Sequence, residues 1–150
     1  MSYKNARITK LKEYLAEVIG SLLKQKNFKI NANMLSKNIN NYSLDKIPTS
    51  SVVETTVIGT RTYRDVFSFR SRREYSIEEI NNLSNIGFFE KFEKIIMDNN
   101  ENGVLPQIEG IESIQCLNCG TMNNAEKNTA EFDIQIQITY EVWYETNKSD

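Results

Sequence analysis

Two side-chain groupings in this chain have types and spacings that could carry chemistry. The first is Cys116-Leu117-Asn118-Cys119, a pair of thiols three residues apart. Such a pair supplies at most two of the four ligands of a tetrahedral zinc site, and the sequence has neither a second pair nor any histidine to complete the set. On a strand, that spacing sends the two thiols to opposite faces. A redox role would set the pair at a helix N-terminus, where the dipole stabilises thiolate, and no strong helical pattern follows it. The expectation is two ordinary thiols, kept reduced in a cytosol. The second grouping is Arg61, Arg64, Arg70, Arg72 and Arg73, the densest charge in a chain whose formal net charge is -2. The guanidinium fork suits phosphate. A solvated strand face fits the same residues. So does a subunit interface, where these arginines meet an acidic patch on a neighbouring copy, such as one formed by Glu78, Glu79, Asp98 or Glu101.

Other catalytic apparatus is missing from the sequence. Without histidine the chain lacks the side chain most used as acid or base near neutral pH. There is no Gly-rich phosphate loop, nucleophile elbow or metal-binding Asp cluster. The carboxylate pairs Glu78/Glu79 and Glu90/Glu93 lie beside lysines on helical patterns and read as solvated faces. No catalytic residue, cofactor or metal is expected.

The elements that must position these groups are partly legible. At 150 residues, with 39% hydrophobic and 25% charged residues, the chain has the size of one domain and enough apolar content to fold. The sequence pI of about 5.4 gives no general attraction to phosphate backbones. Charged residues interrupt the apolar ones throughout the N-terminal stretch, so neither a signal-peptide core nor a membrane span is expected there. Ile8, Leu11, Leu15, Val18, Ile19, Leu22 and Leu23 recur at spacings of three and four and predict a helix over 4–26, with Gly20 a weak point inside it. The Asn-rich stretch 27–43 predicts short extended pieces and turns. Strands are expected over 42–47 and 52–57, with a turn at Gly59 and Thr60. In 61–71, Tyr63, Phe67 and Phe69 fall on one face of a strand and Arg64, Ser68 and Arg70 on the other. Val66 breaks that alternation and Asp65 lies on the aromatic side, so both faces of this strand are expected to be partly covered.

Ser76 and Glu79 form a capping box, and Gly87 divides two helical runs, the second carrying Phe88, Phe89, Phe92, Ile95 and Ile96. They predict two helices or one kinked helix. The stretch 107–120 is weakly strand-like and 120–129 reads as loop. From Phe132 to Tyr144 every second residue is apolar, which predicts one long half-buried strand. The order of elements argues for an α+β domain spanning 1–150. Its mixed, mostly antiparallel sheet has a long C-terminal strand and is backed by an N-terminal helix and a central helix pair.

The segments IPTSSVVETTVIGTRTYRDVFSFRSRREYS, NNLSNIGFFEKFEKIIMDNN, LPQIEGIESIQCLNCG and EFDIQIQITYEVWY follow one another between Ile47 and the C-terminal strand. In that order they resemble a family of prophages and long-tailed bacteriophages, filed as minor capsid proteins and related to tail terminator, or tail-completion, proteins. The resemblance covers about two-thirds of the chain, and its specificity lies in order and spacing rather than in single words. It implies a structural virion protein made in the host bacterial cytoplasm. As a ring, expected to be a hexamer, it caps the head-proximal end of a tail tube, ends tube growth and offers the neck a surface. The implied partners are further copies of itself, the tube protein, the sheath protein and a neck or head-completion protein. DNA would pass the arginines only transiently, and no membrane is involved. Residues 27–41 and the Cys116/Cys119 pair are not features of that family's pattern. Two rivals stand beside this reading: another neck, collar or bacteriocin-type cap protein, and a small histidine-free ribonuclease or toxin using Arg64 or Arg70 with Tyr and Glu.

Overall fold

The computed structural model describes residues 6–23, 28–32, 35, 41–48, 52–74, 79–118, 120–125 and 129–143, with side chains at all of these except 52, 74, 79–84 and 123–125. Along the chain run α1 (Arg7–Leu23), β1 (Lys29–Ala32), β2 (Asn41–Ile47), β3 (Val52–Thr55), β4 (Thr60–Glu74), α2 (Glu79–Glu101), β5 (Ile111–Cys116), β6 (Thr121–Ala125) and β7 (Thr129–Trp143). The expected α+β architecture is present. Ser76 of the capping box, Cys119, Tyr144 and much of the Asn-rich stretch lie outside the described residues.

The frame is the antiparallel pair β4 and β7, fifteen residues each, in unbroken register from Thr60 opposite Trp143 to Glu74 opposite Thr129. β2 and β3 share one side of β4 end to end, β2 along 66–72 and β3 along 61–63. β5 and β6 likewise share the far side of β7, and β1 runs parallel beside β2. Because directly opposed residues share a face, the register sorts the sheet. Tyr63, Asp65, Phe67, Phe69, Ser71 and Arg73 face the same way as Tyr140, Ile138, Ile136, Ile134, Phe132 and Ala130.

Both helices cover that face. Leu11, Leu15, Val18 and Ile19 of α1 and Phe88, Phe92 and Ile96 of α2 join Tyr42, Leu44, Phe67, Phe69 and the three β7 isoleucines in one core. Ring stacking continues through it, with Tyr42 on Phe69 at 5.4 Å and Phe69 on Phe92 at 5.5 Å. No helix among the described residues is long and apolar enough to cross a membrane.

Two local outcomes differ from the sequence-based expectation or decide between its alternatives, and a third, at Gly20, follows it. One continuous helix, α2, replaces the pair: it runs through Gly87, where the roughly 1 kcal/mol propensity cost of glycine is small against the burial of Phe88, Phe89, Phe92 and Ile96. α1 runs through Gly20 in the same way, and an added Cβ there would meet the ring of Phe28 at 3.8 Å. Finally, the polar stretch after Gly120 is not a loop. It forms β6, because β7 offers an open ladder from Ala130 to Asp133 and pairing on such a template overrides weak strand propensity. Gly120 leads into that strand under Phe89, whose Cγ would lie 2.5 Å from any Cβ at this position.

Candidate functional site

The long ladder extends past the core at one end. There β3, the start of β4 and the end of β7 form a three-stranded arm. A three-residue loop, Val57-Ile58-Gly59, closes the β3–β4 hairpin, with Gly59 at φ 104° supplying the left-handed step such loops use. Thr56 and Thr60 lock its base: the Thr56 N–H donates to the Thr60 carbonyl at 2.9 Å, the Thr60 N–H donates to Thr56 Oγ1 at 3.1 Å, and the two hydroxyls lie 2.6 Å apart. A turn fixed in this way holds Val57 and Ile58 in solvent, 103% and 72% exposed. With Val53, Val142 and Trp143 they make five of the ten exposed large apolar side chains among the described residues, so apolar exposure is concentrated on the arm, on both of its faces and at its tip.

Beside the arm opens a cleft of about 870 Å³ between the start of α1, the turn before β5 and the end of β7. At its floor sits Asp65, only 2% exposed, on the core-facing side of β4 between Tyr63 and Phe67. Arg7 Nε donates to Asp65 Oδ2 at 2.8 Å, Tyr140 Oη donates to Oδ1 at 3.2 Å, and Lys46 Nζ lies 3.7 Å from Oδ1. The Arg7 guanidinium also lies 4.5 Å from the centre of the Tyr140 ring, which in turn stacks on Tyr63. Burial, then the adjacent Asp65 charge, pushes the Tyr140 phenol up to about 12. Asp65 is thus a buried acceptor satisfied from three elements, an arrangement that fixes α1 to the sheet. Gly110, at φ 76°, shapes the cleft wall by accepting from the Glu141 N–H at 2.8 Å.

The five arginines do not form one patch. Arg64, Arg70 and Arg72 lie on the helix-free face, whereas Arg61 and Arg73 share the face of Phe67. Arg73 donates from Nε to Asn85 Oδ1 at 2.9 Å, and its guanidinium lies 3.8 Å from the centre of the Phe88 ring. On the open face, Arg70 pairs with Asp45 at 2.5 Å and Glu131 at 3.0 Å, while Ser68 donates to Asp133. Arg72 is only 8% exposed, opposite Glu131, and among the described residues its buried Nε and Nη1 meet no acceptor. Against Arg64, Arg70 and Arg72 the face carries Asp45, Glu131, Asp133 and, opposite Thr62, Glu141, so it has no net positive charge. That removes the field that phosphate binding would need.

Of the residues expected to form an acidic counter-patch, Asp98 is engaged by Lys94 at 2.8 Å on the exposed side of α2 and Glu101 is exposed. Glu78 and the Glu79 side chain fall outside the described residues. Cys116 stands at the end of β5, half-buried, and among the described residues no group of three metal-ligating side chains assembles. The arm tip and the Asp65 cluster were missed by sequence reasoning. A Val-Ile pair directly before a turn glycine was the available signal for the first. For the second, the partners lie 58 and 75 residues from Asp65. No protein-family model and no curated protein matches the chain.

Proposed function

We propose that this protein is a non-catalytic assembly subunit of the tail terminator type. In this reading it is a virion protein that forms a ring of its own copies, expected to be a hexamer, on the head-proximal end of a phage or phage-like tail tube. Ring closure ends tube growth and presents a surface to the neck. The observation that carries the proposal is the rigid arm with its apolar tip, since Val57 and Ile58 contribute nothing to the core and are held in water by a turn locked at both strands. Exposed apolar clusters on a fixed scaffold are what association surfaces require. The strand pair, the following helix, the short strand and the long last strand stand in the order in which the resembling segments run.

The tube subunit, the sheath protein and a neck or head-completion protein are the further partners of this proposal, with DNA passing through the ring. Electron microscopy of particles assembled with and without the protein tests it. Overlong tubes, or tubes not joined to heads, are expected in its absence. Tubes of normal length joined to heads would refute capping.

A further inference from the structure

We propose that Asn102 is a site of spontaneous covalent modification, at which Gly103 closes a cyclic imide and water opens it to aspartate and isoaspartate. Asn102-Gly103 is the single asparagine-glycine step in the chain and lies directly behind α2. In this reaction the Gly103 main-chain nitrogen attacks the carbonyl carbon of the Asn102 carboxamide and forms a new C–N bond. The old carboxamide C–N bond breaks, and its nitrogen leaves as ammonia with the proton that Gly103 gives up. Water then adds to one of the two imide carbonyls. Addition at the side-chain carbonyl restores the main chain and leaves aspartate, whereas addition at the main-chain carbonyl leaves isoaspartate. A side chain at the second position would shield the attacking nitrogen, and glycine has none.

The geometry favours this asparagine over its neighbours. Asn102 and Gly103 are both exposed, and among the described residues no side-chain hydrogen bond holds the Asn102 carboxamide. Those of Asn85, Asn99, Asn100 and Asn118 are all engaged, by Arg73, Tyr14, the Ile114 N–H and the Gln135 N–H. The Gly103 N–H donates to the Asn100 carbonyl at 3.4 Å, outside the ordinary range of about 2.7–3.2 Å, so the proton that must leave is weakly held. A Cβ added at Gly103 would meet nothing within 4 Å, which leaves the carboxamide room to swing onto the nitrogen.

The products disturb what this turn holds. The Val104 N–H donates to the Asn99 carbonyl at 2.8 Å, the longer of the two bonds that end a helix at a glycine. Tyr14 Oη donates to the Val104 carbonyl at 2.9 Å and accepts from Asn99 Nδ2 at 3.1 Å, which ties the end of α2 to α1. Isoaspartate adds a main-chain carbon between positions 102 and 103, so Val104 loses its register on Asn99 and Tyr14. Both products also place a carboxylate at the negative end of the helix dipole, after a last turn that holds Asp98 and Glu101 and no basic residue. The modification is an irreversible, time-dependent loosening of the α1–α2 junction.

The test ages the intact protein at neutral pH in isotopically labelled water and reads each asparagine by peptide fragmentation in a mass spectrometer. Asn102 should lose its amide at least about tenfold faster than Asn85, Asn99, Asn100 or Asn118, which must first give up a hydrogen bond. It should yield isoaspartate and aspartate, both carrying oxygen from the labelled water. Asn102→Gln, a neutral change at an exposed position, should show no such loss. Amide exchange at Val104 should rise in aged wild type and stay constant in aged Asn102→Gln protein. Equal rates at Asn102 and the engaged asparagines overturn the proposal, as does aspartate formed without isoaspartate, since the imide gives both. So does amide loss in urea-unfolded chain with none in the folded one, which would show that the turn protects Asn102. Unchanged Val104 exchange in protein that carries isoaspartate would overturn the loosening.

Discussion

Tyr140 gives the sharpest test of the cluster beneath the arm. In the folded chain its phenol is raised from the ordinary value of 10.0 to about 12, by burial first and the Asp65 charge second. Because the folded value lies above the unfolded one, the associated stability is fully present below about pH 10 and is lost as pH rises towards about 12. Two pH units correspond to at most about 2.7 kcal/mol, of which about half, 1.4 kcal/mol, is gone by about pH 11. Tyr140→Phe removes the titration and also the hydrogen bond to Asp65 Oδ1. That bond to a charged acceptor contributes about 1.5 kcal/mol at its length of 3.2 Å. Urea denaturation of both proteins should therefore show wild type about 1.5 kcal/mol more stable at about pH 8, with the gap closing almost to zero by about pH 11. Comparing the two proteins cancels the other tyrosines, including Tyr14 and Tyr42, whose phenols burial also raises. A gap that stays constant or widens between those pH values would refute the assignment of Tyr140 as a neutral donor to a buried carboxylate.

The same cluster predicts unequal roles for its two cations. Arg7→Ala should cost about 2 kcal/mol, the sum of a charged hydrogen bond discounted for its solvent exposure and a modest ring contact. Lys46→Ala, at 3.7 Å and half exposed, should cost at most about 0.5 kcal/mol in the same urea assay. Gly110→Ala should destabilise by about 2 kcal/mol or more, since a Cβ at this left-handed position would overlap the Glu141 carbonyl. Amide exchange at Glu141, whose N–H is bonded to Gly110, should rise with it. Arg70→Ala leaves Asp45 and Glu131 facing each other without their shared cation, and a loss of about 2 kcal/mol is expected, visible as a lower midpoint in thermal unfolding. An effect of Arg70→Ala below about 0.5 kcal/mol would show that the open-face network is solvated and mechanically idle.

The parts of this fold that could be read from the chain are those set by local period. The unbroken alternation of β7 gave away its buried face, and the spacing of Leu11, Leu15, Val18 and Ile19 gave away that of α1. The odd parity of Asp65 and Val66 was visible too, and the structure buries both, at 2% and 6% exposed. What was hidden depends on contacts distant in sequence. Nothing near Thr121–Ala125 marks a strand, because its partner is β7 and Met122 and Ala125 among polar neighbours make no alternation. Nothing near Asp65 names Arg7 or Tyr140 as its partners. The arginine run looked like one grouping because sequence proximity conceals parity. On a strand, Arg72 and Arg73 point to opposite faces, so the run is two sets with different neighbours.

That division bears on how a ring of such subunits would treat DNA. A channel lined by uncompensated arginines would grip a phosphate backbone, and each neutralised phosphate would add salt-dependent affinity. Here Arg70 is committed to two carboxylates, Arg72 is almost wholly buried, and Arg73 is spent on Asn85 and Phe88. Three of the five arginines are thereby withdrawn from such a grip. If the helix-free face lined a channel, DNA would pass a surface on which Arg70 is paired and Arg72 is withdrawn from solvent, which is the behaviour a passage requires and a DNA-binding protein avoids. Association would then fall to the arm, whose tip adds nothing to the packing of its own chain and keeps its full burial energy for a neighbour.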